Sequence, residues 1–361
     1  MTEPLLRKED GILEKCLREQ EISDEEIDFL MTGDGSGDRD FYERIFETAR
    51  SLRDKYFGNK VFLYGFVYFS TYCRNNCSFC YYRRENGKPP RYRKSKEEIV
   101  ATAVKLRDSG VHLIDLTTGE DPYYVHKPER FAEIVKEVKE ATGLPVMVSP
   151  GVFPDDGIQL LARAGADWYA LYQETHSRDL YERLRLNQSY ERRMEAKAYA
   201  GSLGMLVEEG LLTGIGDRNE DRIHSFRQMR EIKASQVRVM TYVPQEGAPL
   251  KGEGLQGFDR ELITIALLRL LFPDALIPAS LDVEGIAGLE KRLQAGANVV
   301  TSIIPPKDGY AGVANSVRDV DEGYRTVEGI QDTLKACGLV NARQEDYGEW
   351  VGNRKAKGFN L

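Results

Sequence analysis

Cys73, Cys77 and Cys80 fall within the stretch STYCRNNCSFCYY, spaced Cys-x3-Cys-x2-Cys, directly after the apolar, β-like run VFLYGFVYF. Three thiolates at this spacing suit a [4Fe–4S] cube that keeps one iron without a protein ligand, open to a further molecule. A pure electron carrier would supply a fourth cysteine. The two that remain, Cys16 and Cys337, stand in helix-like sequence far from the loop, where a buried structural thiol is the ordinary reading. A structural zinc ion wants four Cys or His ligands, and no His stands near this loop. Five cysteines in 361 residues form no disulfide framework, and no secretory signal is read at the start.

A second set of residues has the wrong polarity for a core. Asp115 lies in HLIDLTTGE, Arg238 in QVRVMTYVP, and Ser280 with Asp282 in IPASLD, all runs that read as buried strands. Side chains alternate along a strand, so Ser280 and Asp282 share one face. Burying such groups without partners costs several kcal/mol each, of the order known for buried polar groups. Any one of them alone reads equally well as half of a structural Arg–Asp pair. Together, two carboxylates and a guanidinium complement a ligand with two ammonium groups and one carboxylate, which describes a diamino acid such as lysine or ornithine. Arg238 would take the carboxylate bidentately, Asp115 and Asp282 an ammonium each, and Ser280 a hydrogen bond.

The elements that must position these residues alternate short β-branched runs with amphipathic segments, the pattern of repeated βα units. Eight strands are expected: VFLYGFVYFS, HLIDLTTG, PVMVSPG, ADWYALYQE, MLVEEGLLTG, QVRVMTYVP, ALIPASLD and NVVTSII. They predict an α/β fold, a complete (β/α)8 TIM-type barrel over residues 60–317 with its site at the C-terminal ends of the strands. Residues 1–59 read as a helical N-terminal extension, and 318–361 as a last helix and a polar tail. A net charge of −8 argues against a nucleic-acid surface. The basic segment RYRKSK from Arg91 reads as a solvated loop entering a helix. No apolar stretch reaches the roughly 20 residues of a membrane span, and reduced, cluster-bearing cysteines place the chain in the cytoplasm.

With Phe79 before the third cysteine, the loop resembles the cluster motif of radical S-adenosylmethionine (SAM) enzymes. The stretches FVYFSTYCRNNCSFCYY, DLTTGEDPYY, SPGV, ALYQET, VRVMTYVPQEG and LIPASLDVEGI resemble, more narrowly, the methylornithine synthase family, whose architecture is similar to that of biotin synthase. The resemblance implies that the open iron chelates the amino and carboxylate groups of SAM. It implies SAM contacts from Phe79 and from the turn Thr118, Gly119 and Glu120, where Thr118 replaces a glycine of the superfamily's Gly-Gly-Glu element. Glu174 would face the ribose or amino group, Arg193 the methionyl carboxylate, and Ser149 would be a weaker contact. Gly214 and Gly216 would let the backbone approach adenine. Asp115, Arg238, Ser280 and Asp282 would bind L-lysine, which the family isomerises to (3R)-3-methyl-D-ornithine in pyrrolysine biosynthesis by Cα–Cβ fragmentation and recombination. No side chain is expected to act as acid, base or nucleophile, and the one partner implied is a reductant such as flavodoxin or ferredoxin. The nearest alternative is another barrel-type radical enzyme, a biotin-synthase-like sulfur inserter or a hydrogenase maturase; a sulfur inserter would need auxiliary-cluster ligands in the barrel, where this chain has no cysteines left, and an iron–sulfur electron carrier would keep its fourth cysteine.

Overall fold

A computed structural model describes residues 7–33, 39–252, 258–305 and 324–357. Eight parallel strands form the barrel: β1 (Lys60–Ser70), β2 (Leu113–Thr118), β3 (Val146–Ser149), β4 (Trp168–Ala170), β5 (Leu206–Thr213), β6 (Gln236–Thr241), β7 (Pro278–Ser280) and β8 (Val299–Ile303). Their spatial order is β6-β5-β4-β3-β2-β1-β8-β7. The expected complete barrel is nearly closed: among the described residues β6 and β7 are joined only by a single parallel bridge between Gln236 and Leu276, with Val237 N–H donating to Leu276 O at 3.0 Å. That bridge lies at the N-terminal end of β6, so the seam is tied at the floor of the barrel rather than at its mouth. The expected eight-stranded barrel is therefore present.

Helices form between the strands for local reasons that the sequence carries. In Lys96–Ser109, Ser95 and Glu98 make a reciprocal capping box, Gly110 ends the helix in the left-handed conformation, and Ile99, Ala103 and Leu106 turn inward. Gly65 of β1 lets that helix approach, since a Cβ there would meet the Leu106 side chain at 3.0 Å.

The period of two sorts β1 cleanly. Val61, Leu63, Val67 and Phe69 face the surrounding helices, whereas Phe62, Tyr64, Phe66 and Tyr68 belong to the interior clusters. Phe62, Leu113, Met147, Trp168, Leu206 and Val299 make an apolar floor. Two residues further along their strands, Leu113 is followed by Asp115 and Leu206 by Glu208, and on β6 the buried Gln236 is followed by Arg238. The barrel thus changes from apolar to charged within one pleat, toward the C-terminal ends of its strands.

The segment read as a last helix and tail contains more structure than that. After the helix Gln331–Ala336, a short strand β9 (Val340–Asn341) pairs with Lys60 and Val61 of β1, and a further helix, Gln344–Ala356, follows. That helix plugs the floor: Tyr347 and Val351 join the floor cluster, and Trp350 stacks on Trp168 with centroids 5.9 Å apart. Burying side chains of this size is worth about 1.5–3 kcal/mol each. The boundary placed at 317/318 lies outside the described residues. At the other end, Lys8–Leu17, Asp24–Thr32 and Arg39–Phe57 brace the outside of the barrel, with Arg53 Nη1 donating to Leu293 O at 2.7 Å. No described helix is long and apolar enough to cross a membrane.

Candidate active site

β1 delivers the three cysteines to the mouth of the barrel, where a cavity of about 250 Å³ is lined by Cys73, Cys77, Phe79 and Cys80 at one end and by Asp115, Arg238 and Asp282 at the other. The loop after the cysteines is held by Arg91, which donates to Tyr82 O at 2.9 Å, Arg83 O at 2.6 Å and Asn86 O at 3.0 Å. Arg93 pairs with Asp121 at 2.8 Å and lies over the rings of Tyr72 and Tyr123. The basic segment is therefore not a solvated loop: two of its arginines are clamps for the cysteine loop and the turn behind it.

The thiols suit a cluster. Burial, offset by the Asn75 N–H and aided by Cys77, pushes Cys73 up to about 11, and burial with Cys77 and Cys73 pushes Cys80 higher still. Thiolates in this position need cationic compensation, which cluster irons supply. No three His, Cys, Asp or Glu side chains among the described residues converge to hold a single metal ion, whereas a cube meets each cysteine through a different iron. Donors are already aimed at the sulfurs: Gln188 Nε2 is 3.1 Å and Arg185 Nη1 3.6 Å from Cys77 Sγ. Neither was identified from the sequence. Cys16 is buried within the first helix and Cys337 ends the helix Gln331–Ala336, and neither lines this cavity.

The turn after β2 packs tightly on the cysteine loop. Gly119 N–H donates to Ser70 O at 2.9 Å, and a Cβ on Gly119 would lie 2.3 Å from Tyr72 O, so only glycine fits. Thr118 Oγ1 is taken by Gly119 O at 2.8 Å. Glu120 pairs with Arg74 and accepts from Asn75 Nδ2 and Val152 N–H, each at 3.0 Å, while still lining the cavity beside Ser149. Glu174 has a left-handed backbone (φ 69°) and its Oε1 accepts from Arg185 Nη2 at 2.9 Å. Arg193 donates through Nε to Tyr172 O at 2.8 Å, but its buried Nη1 has no protein partner. Burial and the neighbouring Arg185 guanidinium lower its pKa, which is the environment an incoming carboxylate relieves. Gly214 and Gly216 form a left-handed turn closed by Asp217, which accepts from Gly214 N–H at 2.9 Å, and they stand outside the cavity lining.

At the inner end, charges are more numerous than the sequence reading held. Arg238 Nε lies 2.9 Å from Glu208 Oε1, its Nη2 donates to Thr301 Oγ1 at 3.2 Å, and it rests over the Tyr172 ring at 5.2 Å. Tyr172 Oη donates to Glu208 Oε2 at 2.9 Å. Burial opposes the Arg238 charge, but Glu208, Tyr172, Asp115 and Asp282 outweigh it and keep the guanidinium protonated. Burial and then Glu208 push Asp115 up to about 7, although Thr117 Oγ1 donates to it at 2.8 Å and Arg238 stands near. Asp282 is paired with Arg325 at 2.6 Å. Ser280 is buried and accepts from Asp282 N–H at 3.2 Å, beneath the cavity rather than in its lining. Glu208 and Arg325 are the residues that sequence reasoning missed here.

The chain matches the model of the radical SAM superfamily over residues 67–229. It is 45% identical over 343 residues to 3-methylornithine synthase of Methanosarcina barkeri, covering 95% of this chain and 97% of that protein. A crystal structure of methylornithine synthase superposes with a TM-score of 0.88 at 44% identity, covering 94% of this chain and 99% of that one. An [FeFe] hydrogenase maturase of Thermotoga maritima is 35% identical over 73% of this chain and 76% of its own length. Superfamily membership brings the [4Fe–4S] cluster and SAM as cofactors, and the cysteine loop, the open Arg193 nitrogen and the paired Glu174 fit them. With near-complete coverage in both sequence and structure, the chain belongs to the 3-methylornithine synthase family of radical SAM enzymes.

Proposed function

We propose that this chain isomerises L-lysine to (3R)-3-methyl-D-ornithine, the first step of pyrrolysine biosynthesis, by breaking the Cα–Cβ bond and rejoining the fragments at the neighbouring carbon. The observation that carries it is the placement of Asp115, Asp282 and Arg238, the last backed by the buried Glu208, in the lining of the same cavity that Cys73, Cys77 and Cys80 line at its mouth. Cys73, Cys77 and Cys80 would hold the cluster, and Glu174 and Arg193 would hold SAM; together these groups would supply the radical chemistry of hydrogen-atom abstraction.

The residues around lysine hold and orient. Glu208 neutralises Arg238 from its Nε side and Thr301 Oγ1 holds Nη2, so the guanidinium is set in place to meet the substrate carboxylate through its terminal nitrogens, each of which has a further N–H. Asp115 takes one ammonium, and Asp282, with Ser280 bonded to its backbone N–H, takes the other beside Arg325. Phe66, Tyr68, Tyr172, Leu212 and Met240 supply cavity walls that keep water from the separated fragments. Holding both fragments replaces a bimolecular encounter with a local one, worth up to about 7–11 kcal/mol in favourable cases. A one-electron donor of the flavodoxin or ferredoxin type completes the requirement.

The test is anaerobic incubation of the reconstituted protein with labelled L-lysine, SAM and a reductant, followed by chiral amino-acid analysis. Label in methylornithine is expected. Unchanged lysine alongside consumption of a substrate lacking a second amino group would overturn the reading.

A further inference from the structure

β4 last pairs with β5 at Ala170 opposite Glu208, and the chain next meets β5 at a bridge between Glu174 and Leu211. That is four steps on one side and three on the other, so one residue is extra: the edge of the site is a β-bulge. A bulge leaves a backbone N–H without a ladder partner, which is costly inside a barrel. Here the Gln173 N–H donates to Glu209 Oε1 at 2.7 Å, and the Gly210 N–H donates to the same oxygen at 2.8 Å.

Glu209 faces outward from β5, opposite in direction to Glu208, and is completely buried beneath the helix Tyr190–Ser202. Its other oxygen pairs with Lys197 of that helix, which also donates to Gln173 Oε1 at 3.0 Å. His176 Nε2 lies 3.4 Å from the same oxygen. Burial raises the Glu209 carboxyl, but Lys197 and His176 more than offset this and hold it at about 2; burial pulls Lys197 down to about 8 against the attraction of Glu209. Both directions leave a charged pair at neutral pH. Such a pair is a weak source of net stability, because desolvation consumes most of the attraction.

What the pair does control is direction. Tyr172 O accepts from Arg185 Nη2 at 2.7 Å and Arg193 Nε at 2.8 Å, so the segment is held from the cavity side as well. Between these holds, Tyr172 turns its ring beneath Arg238, and Glu174 takes its left-handed backbone and presents its carboxylate to Arg185. We infer that Lys197 and Glu209 are positioning residues: by filling the bulge from behind, they aim Glu174 at SAM and Tyr172 at the substrate-binding Arg238. The inference rests on the cofactor role of Glu174 given above.

Two charge-neutral double variants test it. Glu209→Gln with Lys197→Met keeps an oxygen for the two backbone N–H groups, whereas Glu209→Leu with Lys197→Met removes it, and neither strands a buried charge. Both should load iron fully. Calorimetric titration with SAM should give the Gln variant a Kd within about threefold of wild type and the Leu variant a Kd at least about tenfold weaker, as for other supporting-shell losses. Equal SAM affinity in the two at equal iron content would overturn the inference. Glu209→Asp gives an independent arm, since it keeps the ion pair but withdraws the carboxylate from the bulge. Wild-type SAM affinity in that variant would also overturn it. Glu174→Ala is the control that separates the two readings, because full SAM affinity there would defeat the cofactor role of Glu174 and not the geometry of the bulge.

Discussion

Arg325 Nη2 lies 2.6 Å from Asp282 Oδ1; both side chains are buried, Asp282 in the cavity lining and Arg325 outside it. The carboxylate that the sequence offered to a ligand ammonium therefore already has a cation beside it, and lysine would join this pair. Removing either partner strands the other, at a cost of about 3–5 kcal/mol for a broken buried pair. A double-mutant cycle of Asp282→Asn and Arg325→Gln, followed by urea unfolding of the cluster-loaded protein, should give a coupling of about 1–3 kcal/mol. Additive losses would remove the pair from the account.

Iron content separates the five cysteines. Cys73→Ala, Cys77→Ala or Cys80→Ala should each abolish the cluster, and wild type should bind about four irons per chain on anaerobic reconstitution. Cys16→Ala and Cys337→Ala should load iron normally. Iron and sulfide assays with electron paramagnetic resonance of the reduced protein check this, and cluster loss in either of the last two variants would refute the assignment.

Arg193→Ala and Glu174→Ala should weaken SAM binding while leaving iron content unchanged. Arg193→Ala gives up the Nε bond to Tyr172 O, which costs some fold stability, and also Nη1, which has no protein partner and whose loss is felt in ligand affinity. About 2–5 kcal/mol is expected for truncating one partner of a buried charge contact. Titration calorimetry paired with thermal unfolding distinguishes the two effects.

Asp115 sets a pH dependence. Its folded pKa is raised from 3.8 to about 7, so the folded state binds the extra proton between those values and its stability falls as pH rises through that window. Lysine binding runs the other way, because the ammonium needs the ionised carboxylate. The kcat/KM for lysine should therefore rise as pH increases through about 7, and Asp115→Asn should flatten that limb and lower the plateau. A profile of the same shape in the variant would show that another group titrates.

Arg238→Lys probes geometry at constant charge. Lysine cannot offer the planar fork to a carboxylate, nor reach Glu208, Thr301 and the Tyr172 ring together. Substrate KM should rise at least about tenfold with SAM binding retained. Unchanged KM would place the carboxylate elsewhere.

The alternation that defined the barrel was legible because each strand buries one face in helices and one in the interior, and the charged positions stood out against that pattern. Asp115 and Arg238 were found in this way, although their partners were not. The signal for Glu208 and Glu209 was present: two adjacent glutamates in MLVEEGLLTG cannot both reach solvent from a central strand, so one must face the interior and one the helices. Arg185 and Gln188 sit in an irregular stretch after the helix Arg178–Leu184, where no periodicity reports which way a side chain turns. Arg325 meets Asp282 across 43 residues, a contact that propensity does not encode. Tyr347, Trp350 and Val351 have the i, i+3, i+4 spacing of a buried helical face, but the charged residues around them disguised the plug as a tail.

The plug also orders events in time. Tyr64 Oη contacts Tyr347 Oη at 2.9 Å across 283 residues, and β1 gains β9 only from the same late segment. During synthesis the cysteine loop emerges first and the barrel floor is completed almost a whole chain later. Contacts of such span carry a large loop-closure cost and slow the folding of a domain. Nascent chains should thus pass through a stage in which the cluster ligands exist while the floor is still wet, and iron delivered at that stage would meet an unfinished barrel. Limited proteolysis of chains arrested after residue 343 and after residue 357, with and without iron, would show at which point protection of β1 begins.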